Sequence, residues 1–271
     1  MSARAEAYAQ DGVVCARGLL DAGWVTRLRA AVDRAMAAPS NDAMEFNAEG
    51  EAGRFFGDMF MHRRDADFRA AFFDSPCAAL AGEAMDAAEV RLLYDQIFAK
   101  MPGTPRRTPW HQDGPYWPLS GDRLCTVYVA LDPIDATSGA VAYARGSHRA
   151  EAFRPAPFRA GADAAARYAQ SALPELAAPD PESLIAFDLA PGDAVVFTPI
   201  SCTAPAAIRA TGPGARSRCG SRARTCAGAR ASARSAGCAR RTSPMAHRCR
   251  RAMTCFRFCG AARRGRPCPG S

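Results

Sequence analysis

Beyond residue 197 the sequence contains no Asp, Glu, Lys, Leu, Val, Trp or Tyr. A segment without those residues buries too little apolar surface to offset the entropy of ordering it, so residues 198–271 are expected to be disordered and not to fold alone. The whole chain has one lysine, Lys100, among 35 basic residues, and no histidine between His148 and His247. No run of ~18 apolar residues is long enough for a membrane span, and the opening segment lacks the apolar core of a signal peptide. Those absences lead us to expect a cytoplasmic protein with no membrane partner.

What is present is ample for a core. The chain has 271 residues, 48% of them hydrophobic and 8% aromatic, which excludes a wholly disordered protein. Its net charge of +8 is unevenly distributed: residues 1–197 carry 19 basic and 27 acidic groups, net −8, and residues 198–271 carry 16 arginines, net +16. The 11 cysteines divide the same way, with Cys15, Cys77 and Cys125 before the cut and eight after it.

Three readings of the basic tail stand side by side. An Arg-rich arm would bind nucleic acid by neutralising phosphates, but it would do so without lysine or interleaved aromatics. Eight cysteines would bind zinc, but their successive gaps of 17, 7, 12, 11, 6, 4 and 9 residues include no C-x-x-C pair. The third reading is translation in the wrong frame.

In the first 197 residues, Leu20, Trp24, Leu28, Val32 and Met36 recur every four positions, which predicts an amphipathic helix over residues 20–36 capped by Asp21. A second helical zone covers residues 68–73 and 78–88. The period then changes to two, and residues 90–100, 124–132, 139–144, 184–188 and 193–197 read as strands between Pro, Gly and Asp turns. Helices followed by short strands suggest a mainly β sandwich or barrel with helices packed outside. Residues 158–181, rich in Ala and Pro, read as an insertion loop.

The chemistry is concentrated around Trp110-His-Gln-Asp-Gly-Pro-Tyr-Trp117. In an extended strand residues two apart share a face, so His111 and Asp113 would present an imidazole and a carboxylate together. That is two thirds of the two-His-one-carboxylate set that holds Fe(II) on one octahedral face. The same period puts Tyr94, Gln96, Phe98 and Lys100 on one face of the preceding strand, and a lysine on a buried face implies a bound anion. Taken alone, each feature has an ordinary reading: H-x-D as a hydrogen-bonded turn, Lys100 as a surface charge, and Trp110, Tyr116 and Trp117 as core.

The wider order is more specific. The 110–117 segment is followed by the strand from Cys125 to Asp132, Gly139, the turn Gly146-Ser-His-Arg149, and Pro191-Gly-Asp-Ala-Val-Val-Phe197. From about Tyr8 to Phe197 this resembles the phytanoyl-CoA dioxygenase family. The resemblance implies a double-stranded β-helix (jelly roll) and an Fe(II)- and 2-oxoglutarate-dependent dioxygenase that hydroxylates a small-molecule substrate. It matches His111 and Asp113 to the first two iron ligands, Lys100 to a lysine near the 2-oxoglutarate carboxylate, and Gln96 to a residue lining that pocket. Phe98, Tyr116 and Trp117 are the expected apolar or aromatic substrate wall, and Arg106 and Arg107 are candidates to meet an anionic substrate group. His148 looks structural, and His62 falls in a helical region away from the motif.

The family pattern then requires a His-Gly after the 192–197 run and an arginine eleven residues later, and this chain has Thr198-Pro-Ile-Ser-Cys-Thr-Ala-Pro205 instead. If one base is missing near codon 198, each original codon is the previous wobble base followed by the first two bases of the present codon. With a consistent choice of wobble bases, residues 198–218 restore to HPDLVHGAGGNPRDRPRRAIS. That places the missing His-Gly at Thr203 and Ala204 and the arginine at Gly214. Residues 246–260 restore in the same frame to GASLPPGDDLFPVLW, an ordinary acidic and apolar stretch. The expectation is therefore a family domain over residues 1–197 lacking its last strands, an out-of-frame tail over 198–271, and an inactive chain as it stands. The alternatives are a non-catalytic jelly-roll relative that binds a ligand, and a nucleic-acid-binding protein acting through the tail.

Overall fold

The computed structural model describes residues 1–101, 104, 108–117, 119–121, 123–135, 140–158, 166, 168–169, 171–205, 247–248 and 253–259. Among them are the helices α1 (Ala3–Asp11), α2 (Ala22–Ala37), α3 (Ala66–Phe73) and α4 (Cys77–Ala84). The strands are β1 (Val13–Ala16), β2 (Met44–Glu45), β3 (Phe55–Met59), β4 (Arg91–Lys100), β5 (Leu119–Ser120), β6 (Leu124–Ala130), β7 (Val141–Ala144), β8 (Leu184–Ala186), β9 (Ala194–Phe197), β10 (Thr203–Pro205), β11 (His247–Arg248) and β12 (Met253–Cys259). The helix expected from fourfold spacing is α2, and the Asp21 carboxylate accepts from Trp24 N at 2.9 Å as its N-cap. The helix α1 and the strands β1, β2 and β3 are short and lack a repeated apolar period, and sequence reading did not anticipate them.

A seven-stranded sheet runs β1-β9-β6-β12-β4-β3-β2 and faces a three-stranded sheet ordered β10-β7-β8. Alternation along β6 and β9 sorts the two cores. Cys125, Val127, Val129, Ala194 and Val196 pack against Leu28, Val32, Phe68 and Leu80 of the helices, whereas Tyr128, Ala130, Val195 and Phe197 point between the sheets to meet Tyr143 and Leu189. The architecture is the expected mainly β jelly roll with flanking helices.

The Pro191-Gly-Asp193 turn fixes the start of β9. Gly192 has φ +93°, and a Cβ there would lie 2.1 Å from the Leu20 carbonyl oxygen, so the position needs glycine. Asp193 then accepts from Gly18 N at 2.7 Å, from Ala190 N at 2.9 Å and from Arg17 at 2.8 Å.

The expected boundary at Phe197 falls inside the described fold. The next residues continue the roll, with Ser201, Cys202, Thr203 and Ala204 buried and β10 pairing antiparallel with β7. Backbone ladders do not depend on side-chain identity, and small side chains fit this position. β12 is unusual in that it pairs parallel with both β4 and β6, whereas the other pairings in its sheet are antiparallel. β4 and β6 therefore run the same way on either side of a slot one strand wide.

Candidate active site

His111 is not in a continuous strand. It forms an isolated antiparallel bridge with Thr203, donating to the Thr203 carbonyl at 3.0 Å and accepting from Thr203 N at 2.8 Å. Asp113 is already helical (φ −71°, ψ −37°) and starts the 3-10 turn Gly114–Tyr116. The two side chains converge through a bridge followed by a turn, not through the extended strand expected from sequence. Gly114 N locks the turn by donating to the Pro199 carbonyl at 2.7 Å.

His111 Nε2 lies 3.3 Å from Asp113 Oδ1, with both side chains buried. On its other side, His111 Nδ1 is 2.9 Å from the Pro109 carbonyl oxygen. A carbonyl only accepts, so Nδ1 carries a proton toward Pro109, and Nε2 is the nitrogen that faces the Asp113 carboxylate oxygen. A backbone carbonyl that orients the ring through Nδ1 is the usual support for a metal-binding imidazole.

Directly opposed residues of an antiparallel pair project on the same face, with Cβ atoms about 5 Å apart. Thr203 therefore shares the face of His111 and carries a neutral hydroxyl there. Among the described residues no group of three His, Cys, Asp or Glu side chains is placed to hold a metal ion.

Gln112, between the two candidate ligands, gave no signal in the sequence, because a polar residue there reads as an outward side chain. It is 2% exposed and clamps three segments together. Its Nε2 donates to the Ile200 carbonyl at 2.8 Å and the Glu151 carbonyl at 3.3 Å, and its Oε1 accepts from Phe153 N at 2.9 Å. The 198–203 segment is held further by Thr198 N to Gly12 O at 3.0 Å, Cys202 N to Ser147 Oγ at 2.8 Å and Ala144 N to Cys202 O at 3.0 Å.

Gln96 is buried and accepts from Tyr94 Oη at 3.2 Å. Lys100 places its ammonium 5.6 Å from the Phe55 ring centroid. Phe98 joins the aromatic group of Phe46 and Phe55, at 5.6 and 5.9 Å. Trp117 packs edge-on against Tyr94 at 6.0 Å. Tyr116, also expected at the wall, lies 6.2 Å from the His111 ring, and Phe158, not anticipated, lies 4.7 Å from it. Phe158 lies 47 positions along the chain, and no local pattern links it to His111. Burial pushes the Tyr116 phenol well above its ordinary pKa. Gly214, Arg106 and Arg107 lie outside the described residues.

His148 and His62 serve the scaffold. His148 Nε2 donates to the Ala9 carbonyl at 3.1 Å, closing the end of α1, and burial pushes its pKa down. His62 Nδ1 meets the buried Asp95 carboxylate at 2.6 Å, fastening the 3-10 turn Met61–Arg63 to β4.

Solved structures share the fold. The epimerase SnoN, in complex with Fe3+, alpha ketoglutarate and nogalamycin RO, is 18% identical, with 93% of this chain and 96% of that chain covered and a TM-score of 0.61. EvdO2 from Micromonospora carbonacea var. aurantiaca, complexed with 2-oxoglutarate, is 24% identical over 77% of this chain and 85% of its own, with a TM-score of 0.56. EctD from S. alaskensis with bound Fe is 19% identical over 77% and 72%, with a TM-score of 0.54. No curated protein matches the chain. No described helix is long and apolar enough to cross a membrane. The phytanoyl-CoA dioxygenase (PhyH) family pattern matches residues 8–216, from α1 past β10, and the chain belongs to that family.

Proposed function

We propose that the chain carries the scaffold of an Fe(II)- and 2-oxoglutarate-dependent dioxygenase acting on a small organic substrate, and that in its present form it lacks one iron ligand and is inactive. The observation that carries this reading is the paired backbone of His111 and Thr203, which puts a hydroxyl where the donor set of His111 and Asp113 needs an imidazole. The residues present fit two thirds of an iron site, and Fe(II) with 2-oxoglutarate would supply oxidation of a substrate C–H bond, with release of succinate and carbon dioxide.

The chain's own contribution is geometric. Pro109 sets the tautomer of His111, the 3-10 turn brings in Asp113, and Gln112 holds both against the 198–203 segment. Lys100 and Gln96 on β4 are assigned to 2-oxoglutarate. Burial of His111 and Asp113 excludes water.

We assign the missing ligand to a reading frame displaced by one base at codon 198. Two lines meet at one position: the restored frame allows histidine at 203, and the backbone pairs residue 203 with His111. The slot between β4 and β6 agrees, because an antiparallel roll closes there with a strand running opposite to both neighbours, and β12 runs parallel to them. The test compares the chain with a version repaired by one inserted base after codon 197, measuring soluble yield and substrate-stimulated succinate release over a panel of fatty acyl, amino-acid-derived and natural-product compounds. Higher yield and turnover only after repair is expected; equal yield and equal turnover would overturn the reading.

The second reading, a non-catalytic jelly-roll relative that binds a ligand, is favoured by the two-ligand site itself. Under it the repaired chain would bind 2-oxoglutarate without consuming it. The nucleic-acid reading rests on tail residues that mostly lie outside the described ones.

A further inference from the structure

The residues around His111 belong to two segments far apart in sequence and stitched together at several points. Gln112 bonds the backbone of Glu151 and Phe153, and the Tyr116 hydroxyl donates to the Ala156 carbonyl. Residues 151–158 also tie outward, through Arg154 N to the Pro174 carbonyl at 2.7 Å and Arg154 to Glu175 at 3.0 Å. Pro155 and Pro157 stiffen the stretch between the anchors by fixing φ.

The result is the placement of one ring. Phe158 stands nearly perpendicular to the His111 imidazole, at 82° and 4.7 Å between centroids, and contacts Tyr116 at 5.4 Å. Tyr168 extends the group, 5.7 Å from Tyr116. His111 is only 6% exposed, with the Phe158 and Tyr116 rings packed against it.

We propose that residues 151–158 are a strap closing the site and that Phe158 is a specificity-determining residue, admitting to His111 and Asp113 a substrate whose uncharged hydrocarbon part displaces or slides along its ring. The anchors come from the same short segment as the candidate ligands: Gln112 and Tyr116 hold the strap while His111 and Asp113 face inward. Closing the site and presenting the ligands are thus properties of a single turn. The surface offered by Phe158, Tyr116 and Tyr168 is carbon and π-electron density, which favours alkyl or ring substituents over charged groups.

The inference rests on the proposed function only in taking the His111–Asp113 end as the place a substrate must reach, and its test needs neither iron nor 2-oxoglutarate. Diethyl pyrocarbonate reacts with an unprotonated imidazole nitrogen, which in His111 is Nε2 because Nδ1 is bonded to Pro109. The full-length chain and its Phe158→Ala, Phe158→Tyr and Tyr116→Phe variants are labelled, and the rate at each histidine is read by peptide mass spectrometry. His62 and His148 serve as references in the same molecule. Phe158→Ala is expected to speed labelling of His111 several-fold and leave the references unchanged. Tyr116→Phe, which frees the Ala156 anchor, is expected to give a smaller increase, and Phe158→Tyr to keep the protection. Unchanged labelling of His111 in Phe158→Ala, or equal acceleration at all three histidines, would overturn the proposal. Either outcome leaves the iron-binding reading to its own test.

Discussion

Thr203 and His111 exchange both backbone hydrogen bonds, N to O at 2.8 and 3.0 Å, so their side chains rise from the same face of the roll. The position is set by backbone contacts on several sides, including Gly12 to Thr198, Gly114 to Pro199 and Ala144 to Cys202. The scaffold thus specifies where residue 203 stands whatever side chain it carries.

Under the proposed function, the single substitution Thr203→His would complete a three-ligand face without changing the rest of the chain. It is expected to raise affinity for Fe(II) or Co(II) by ~10-fold or more, since even outer-shell losses at metal sites cost about that much. Anaerobic titration calorimetry of the chain and the variant measures it, with His111→Ala in the same background removing the gain.

Gln112→Ala removes a buried amide that bonds the Ile200 and Glu151 carbonyls and Phe153 N. Stranding those groups is expected to cost about 2 kcal/mol of stability. Chemical denaturation followed by tryptophan fluorescence reports it, and Gln112→Glu, which keeps the acceptor for Phe153 but turns a carboxylate oxygen toward the Ile200 and Glu151 carbonyls, is expected to lose at least as much near neutral pH.

The pH dependence at the start of β9 follows from Asp193. Burial pushes its pKa up, but the N–H groups of Gly18 and Ala190 and the Arg17 guanidinium outweigh that and hold it below the ordinary carboxylate value. A folded-state pKa below the unfolded one contributes stability that is full above about pH 4 and is lost as pH falls through the folded value. Melting temperature against pH is expected to show a shallower acid limb in Asp193→Asn than in the unaltered chain, with the two differing most near neutrality.

Much of this was legible in the sequence because it was local. The fourfold apolar spacing of α2, the alternation in β6 and β9 and the Gly-Asp turn each follow from a dozen residues or fewer. The pairing of His111 with Asp113 was also legible, although it arises from a bridge and a turn. The role of Gln112 was not, since its partners lie about 40 and 88 residues away, and nothing local marks it as a clamp. Phe158 was hidden for the same reason. Phe98, Tyr116 and Trp117 were expected at a substrate wall because aromatics near a motif invite that reading; Phe98 packs with Phe46 and Phe55, Trp117 with Tyr94, and Tyr116 with Phe158 beside His111.

The central claim is that a frame displaced at codon 198 removes the third ligand from a site the scaffold still builds. Its most direct test is iron content after anaerobic reconstitution with 2-oxoglutarate and desalting, for the chain as it stands and for the version with one base inserted after codon 197. Stoichiometric iron in the repaired protein and little in the unrepaired one is the predicted result. Equal iron in both, or none in the repaired protein, would contradict it.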